Sequence, residues 1–170
     1  MWVSERPGSR SGATSFDGDG SDHDWTREGY RVSTEKAALD EDVIHRFLEG
    51  SYWARGIPRA IVERSIRNSL CFGLYAGNAQ VGFARVVTDG ATFAYLADVF
   101  VLEEHRGRGL ASWMIECVLA HPDLQGLRRW SLATLDAHGL YRRFGFQTPA
   151  HPELLMEIVR AGVYSGGSAT

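Results

Sequence analysis

Residues 99–122 read VFVLEEHRGRGLASWMIECVLAHP, and the fold turns on six of them, Arg106-Gly107-Arg108-Gly109-Leu110-Ala111. On the N-terminal side, Phe93–Leu102 is rich in aromatic and β-branched residues and reads as a strand, with Asp98 in its interior. On the C-terminal side, Leu110, Trp113, Met114, Cys117 and Val118 recur at i, i+3, i+4, i+7 and i+8, the spacing of a helix with one face on a sheet. A strand that runs through a glycine-bearing turn into a helix leaves several amides unpaired, aimed at a spot where the helix dipole also favours negative charge. Gly107 and Gly109 permit tight turning and close ligand approach, and Arg106 and Arg108 can add charge-assisted contacts. The turn suits a phosphate or pyrophosphate; the competing reading is a plain loop whose glycines serve only chain reversal.

The elements around this stretch predict one domain over residues 29–164, with flexible tails at 1–28 and 165–170. The first tail is built from Ser, Gly, Asp and Arg and has too little apolar surface to offset its ordering entropy. A short strand is expected at Tyr30–Ser33. Asp40 then caps a helix carrying Val43, Ile44, Phe47 and Leu48 on one face, with Leu39 and Ile44 as a hydrophobic staple. Pro58 can open a second helix with Ile61, Val62, Ser65 and Ile66 inward. Leu70–Ala76 and Gln80–Thr88 read as a hairpin, and RRWSLATL as a strand after the long helix. DAHGLYRR suggests a short helix, and FGFQT and LLMEIV could supply two last strands. The order predicts a mixed α/β fold, a mostly antiparallel central sheet flanked by helices.

Three phosphate motifs compete for the turn. A P-loop needs Lys-Ser or Lys-Thr after its last glycine, and HRGRGLAS has no lysine. A dinucleotide fingerprint would place Ser112 where Gly or Ala belongs, with too little chain following for a repeated strand–helix fold. The third is Arg/Gln-x-x-Gly-x-Gly/Ala, satisfied by Arg106, Gly109 and Ala111. With that motif, and with DAHGLYRRFGF matching Ala-x-x-Leu-Tyr-x-x-x-Gly-Phe through Ala137, Leu140, Tyr141, Gly145 and Phe146, the chain resembles the GNAT superfamily of N-acetyltransferases. The likeness spans about Tyr30 to Val159. It departs at Thr134, where the family often has Asn in contact with the cofactor or an ordered water.

The resemblance implies a GNAT-like acyl-coenzyme A fold and transfer of an acetyl group from acetyl-CoA, as cosubstrate, to a primary amine. Attack is direct, within a ternary complex, so neither Cys71 nor Cys117 need act. It implies that Arg106, Gly107, Arg108, Gly109, Leu110 and Ala111 wrap the pyrophosphate. The backbone of Val99, Phe100 and Val101 would line the pantetheine arm, with Thr134 beside the cofactor. It implies Tyr141 as the acid that protonates the departing thiolate, with positioning of the sulfur as its other reading. Asp98, aimed at the cleft by its strand, is the candidate base; its other reading is a structural partner of a nearby cation, with a water chain taking the proton. Tyr52, Trp53 and Arg55, between the first two helices, are assigned to the acceptor side on the same resemblance. Arg142 and Arg143 read either as reaching a coenzyme phosphate or as solvated helix residues, the second being favoured. A noncatalytic acyl-CoA sensor or interaction module on the same fold is the rival function.

The 170 residues are 44% hydrophobic with a net charge of −3, which argues against a nucleic-acid partner, since those usually need a broad basic face. Cys71 and Cys117 fall in apolar segments and read as buried free thiols, suiting a reducing cytoplasm. No apolar run approaches the ~20 residues of a membrane span, and the N-terminus lacks the order of a signal peptide. His105, His121 and His138 show no zinc-ligand spacing, so no metal is expected. The expected partner is a small-molecule or peptide amine, with neither nucleic acid nor membrane, and a homodimer is possible.

Overall fold

The computed structural model describes residues 21–160 and 162–164. Two strands open it, β1 (Asp24–Arg27) and β2 (Tyr30–Ser33), followed by helices α1 (Glu41–Gly50) and α2 (Arg59–Arg67). Then come β3 (Leu70–Ala76), β4 (Ala79–Thr88), β5 (Phe93–Val101), α3 (Leu110–Ala120), β6 (Arg129–Ser131) and α4 (His138–Arg142). The strands form one sheet in chain order, antiparallel from β1 to β5 and parallel between β5 and β6. Helices flank it, as the sequence predicts for a mixed α/β fold.

Local chemistry accounts for the helices. The Asp40 side chain accepts hydrogen bonds from the amides of Asp42 and Val43 at the start of α1, and Gln80 Oε1 accepts from the amide of Asp40 itself. Ile44 and Leu48 of α1 join Val62 and Ile66 of α2, with Phe83 and Phe100 from the sheet, in one core cluster, and Leu39 packs at its margin. The opposite face of the sheet packs against α3 through Trp113, Met114, Cys117 and Val118, meeting Phe72, Leu74, Val86 and Leu96. Both cysteines are buried and free.

Two expectations are corrected. Residues 24–27, placed in the flexible tail, form β1, because Glu28 and Gly29 take positive φ angles of 51° and 82° that turn the chain back onto β2. Trp25 then lies 6.2 Å from the ring of Phe72 and packs against the α3-side core. That strand carries a single large apolar side chain, which is why its composition hid it. At the other end, neither FGFQT nor LLMEIV forms a strand. Gly145, at φ 88°, and a bond from the amide of Phe146 to the carbonyl of Tyr141 close the first as a turn, and in the second Leu154 ends a short 3-10 turn while the residues after it ladder with no other described residue. The remainder of the tail at 1–20 and the tail at 165–170 lie outside the described residues.

Candidate active site

The parallel pair at the sheet's far edge is short: Phe93, Ala94 and Tyr95 match Arg129, Trp130 and Ser131, and then β6 ends while β5 continues to Val101. From Leu96 onward the β6 side of β5 is open. Two cavities lie along this gap. One, of about 230 Å³, is lined by Val101, Gly107, Gly109, Ala111, Ser112 and Arg143 among others; the larger, about 510 Å³, takes in Tyr52, Trp53, Asp98, Val99, Thr134 and Tyr141.

The smaller cavity is bounded by the glycine turn. Gly107 and Gly109 hold φ angles of 77° and 73°, a left-handed conformation that side-chain-bearing residues adopt at a cost, and open space surrounds the position of a Cβ at either one. The amide of Arg106 is spent on the carbonyl of Glu103, whereas none of the amides of residues 107–112 donates to another described residue. The run of unpaired amides thus covers 107–112, against the 106–111 of the sequence motif. The two arginines of the turn also make hydrogen bonds within the protein: Arg106 Nε donates to the carbonyl of Val101 at 2.9 Å, and Arg108 donates to the Tyr30 hydroxyl at 3.4 Å. Arg143 lines this cavity together with Arg106, and its guanidinium donates to Ser112 Oγ at 2.8 Å. Of the two readings for Arg143, the geometry matches the one that reaches toward the turn, since its side chain lines this cavity and bonds across to α3.

At the larger cavity the strand and the loop between α1 and α2 meet on Asp98. Arg85 Nε donates to Asp98 Oδ2 at 2.7 Å and Trp53 Nε1 donates to Oδ1 at 3.2 Å. The Asp98 side chain is 11% exposed. Its backbone has φ 55°, and the β4–β5 register slips here, so that Asp98 and Val99 together face Ala84. This bulge turns the carboxylate toward Arg85 and the loop. Both Asp98 oxygens accept hydrogen bonds, one from a guanidinium, as its reading as the partner of a nearby cation expects.

Tyr52 and Trp53 pack edge to face at 4.9 Å, and the Tyr52 hydroxyl accepts from the amide of Leu135, closing the loop against the chain that follows β6. Arg55 is exposed and lies outside both cavities, so its assignment to the acceptor wall is not supported by the geometry. Phe100 faces away, stacked on Phe47 at 3.8 Å, which leaves only its main chain to the gap. Thr134 Oγ1 accepts from the amide of Ala137, capping the approach to α4 and leaving its hydroxyl hydrogen to donate. Tyr141 is buried at the cavity's inner end. Burial first, then the neighbouring charges of Tyr52 and Asp136, pushes its phenol up to about 12.

An open-edged strand, a glycine turn of unpaired amides and a buried tyrosine on α4 thus lie along one gap. A profile of the acetyltransferase (GNAT) domain matches residues 67–148, from the end of α2 through the turn after α4. A protein of the fungus Gibberella zeae, provisionally named an acetyltransferase, is 37% identical over 140 residues, 69% of this chain and 78% of its own. The chain belongs to the GNAT acetyltransferases. A solved GNAT-family structure from Xanthomonas campestris, provisionally an acetyltransferase, is 55% identical, covers 82% of this chain and 99% of its own, and superposes with a TM-score of 0.80. A provisionally assigned acetyltransferase of Clostridium acetobutylicum, solved with acetyl-CoA, shares the fold at 15% identity and a TM-score of 0.56, covering 76% of this chain and 94% of its own. Among the described residues no helix of this GNAT protein is long and apolar enough to cross a membrane, and no three His, Cys, Asp or Glu side chains converge as a metal site would require.

Proposed function

We propose that the protein transfers an acetyl group from acetyl-CoA to a primary amine held in the larger cavity. The observation that carries this is the continuity of the gap along β5, with Val101 and Leu140 in the cavity at the turn and Val99 and Tyr141 in the next. The donor set fits the cosubstrate. The amides of residues 107–112 suit a pyrophosphate, Arg143 adds a charge-assisted contact, and the open side of β5 at Val99 to Val101 suits an amide-bearing pantetheine arm.

The reaction needs a neutral amine, whose nitrogen lone pair attacks the thioester carbonyl. The new carbon–nitrogen bond forms, the carbon–sulfur bond breaks, nitrogen gives up a proton and the thiolate gains one. Tyr141 stays protonated at any physiological pH. With its phenol well above an ordinary thiol at about 8.5, its part is to hydrogen-bond and steady the sulfur as charge develops there. Asp98, held by Arg85 and Trp53, fixes the acceptor wall against the strand, and water in the open cavity carries the amine proton away. Tyr52 and Trp53 supply the aromatic face on which the acceptor lies. The whole is a proximity device, in which two substrates are held for direct reaction.

The test is calorimetric titration with acetyl-CoA followed by a product scan across amines. Binding plus an acetylated amine supports the proposal. Binding without any product favours the noncatalytic sensor, to which the engagement of both Asp98 oxygens lends weight. No binding at millimolar acetyl-CoA overturns both.

A further inference from the structure

Among the described residues, three charged side chains line the larger cavity: Arg85, Asp98 and Asp136. Two of them neutralise each other, with Arg85 Nε on Asp98 Oδ2 at 2.7 Å and Arg85 Nη1 donating to Ser69 Oγ at 3.1 Å. Asp136 is left over, since its carboxylate makes no hydrogen bond or ion pair with a described residue. The common structural use of an Asp just before a helix is to cap it. Here Ala137 holds the cap position of α4, and among the described residues no side chain caps that helix. The backbone on either side of Asp136 is nevertheless fixed, the amide of Leu135 donating to the Tyr52 hydroxyl and the amide of Ala137 to Thr134 Oγ1, both at 3.1 Å. After burial, the charges of Tyr52 and Asp136 are what hold the Tyr141 phenol high, which places Asp136 within electrostatic reach of the inner end of the cavity.

Aromatic rings complete the lining. Tyr52 and Trp53 are 52% and 43% exposed, and Tyr95 joins them. Part-exposed rings beside one uncompensated carboxylate form a setting for an organic cation, which is attracted by the ring quadrupoles and by the carboxylate together. That cation is not the nitrogen that reacts. The reacting nitrogen must be neutral to attack, and a carboxylate paired with it would favour its charged form. Asp136 therefore suits a second positive group on the same acceptor.

We infer that the acceptor is a small diamine, acetylated at one nitrogen while Asp136 and the rings of Tyr52, Trp53 and Tyr95 hold the other as an ammonium. The inference rests on the acetyl-transfer reading above for its chemistry and adds the class of amine and the residue that selects it. One neutral nitrogen attacks the thioester carbonyl, the carbon–nitrogen bond forms and the carbon–sulfur bond breaks. The proton from nitrogen passes to water, and the thiolate takes one up. The product keeps a single ammonium. Turned with its free nitrogen toward a second thioester, it has no other cation to offer Asp136, so the reaction stops after one acetyl group. An amine with a carboxylate at its far end meets Asp136 with like charge.

Calorimetric titration with 1,4-diaminobutane, butylamine and 4-aminobutanoate, on the protein alone and with coenzyme A present, tests this without turnover. The diamine should bind about tenfold more tightly than butylamine, and 4-aminobutanoate more weakly than either. Asp136→Asn should bring the diamine and butylamine to within about twofold of each other, and Asp136→Glu should keep the preference, with folding checked by circular dichroism. With acetyl-CoA, the diamine should give its monoacetyl product. Equal affinity for the diamine and either comparison amine overturns the inference, as does a preference that survives Asp136→Asn, diacetylation at a comparable rate, or no binding by any of the three. Diamine binding that depends on Asp136 but yields no acetylated product upholds the cation site and overturns the transfer reading instead.

Discussion

Arg85 and Asp98 meet across neighbouring strands at 2.7 Å, at the point where a bulge gives Asp98 a positive φ of 55°. The pair joins β4, β5 and, through Trp53, the loop after α1. Replacing Arg85 with Met strands a largely buried carboxylate, and we expect a loss of about 3 kcal/mol in stability, measured by chemical denaturation. Combining it with Asp98→Asn should cost less than the sum of the single changes, since the second substitution removes the orphaned charge.

Tyr141→Phe removes one hydroxyl from the inner cavity. The expected result is a fall in kcat of about a hundredfold with the acetyl-CoA dissociation constant changed less than twofold. Because burial pushes the phenol up to about 12, the wild-type rate should show no alkaline limb from this group below about pH 11. Unchanged kcat in the variant would remove the sulfur-steadying role.

Gly109 stands at φ 73° at the head of α3. Gly109→Val puts a β-branched side chain in the left-handed region and fills the space in front of the free amides. Acetyl-CoA affinity should drop by more than about tenfold, with a stability loss on the order of 1–2 kcal/mol. Titration calorimetry beside a thermal melt separates the two effects.

Tyr52→Phe breaks the bond from the Leu135 amide that closes the aromatic loop over the cavity. The acceptor KM should rise several-fold while acetyl-CoA binding stays as it was, because the cofactor turn lies in the neighbouring cavity. Initial-rate kinetics with both substrates varied will show which constant moves.

Burial, in each case the dominant cause, pushes the thiols of Cys71 and Cys117 up to about 12, against an ordinary value near 9. The unfolded chain releases these protons near pH 9 and the folded chain keeps them. Their stabilising effect is therefore complete below pH 9 and is lost as pH climbs toward 12. Thermal midpoints should decline steeply above pH 9, and Cys117→Ala should flatten that decline.

The glycine turn and the Tyr141 helix were legible because their chemistry is local. A left-handed backbone demands glycine, and the motif spacings fall within a few residues of one another. The Arg85–Asp98 pair was not, because its members are 13 residues apart on adjacent strands and only the register of a bulge brings them together. For Arg143 the choice between its two readings was hidden for the same reason, its partner Ser112 belonging to another helix. β1 hid behind a polar composition, with Trp25 as its one large apolar residue. The LLMEIV strand was misread in the opposite sense: its side chains have strand preferences, but a strand exists only beside a partner, and none of the described residues pairs with it.

The bulge at Asp98 has a consequence for how such an enzyme can diversify. At a positive φ the backbone itself favours Asp, Asn or Gly, so this position has few alternatives whatever the substrate. Freedom to take new acceptors falls instead to Tyr52, Tyr95 and Leu135, which border the same cavity on unstrained backbone. A library aimed at altered acceptor choice belongs at those three sites, with residue 98 left alone.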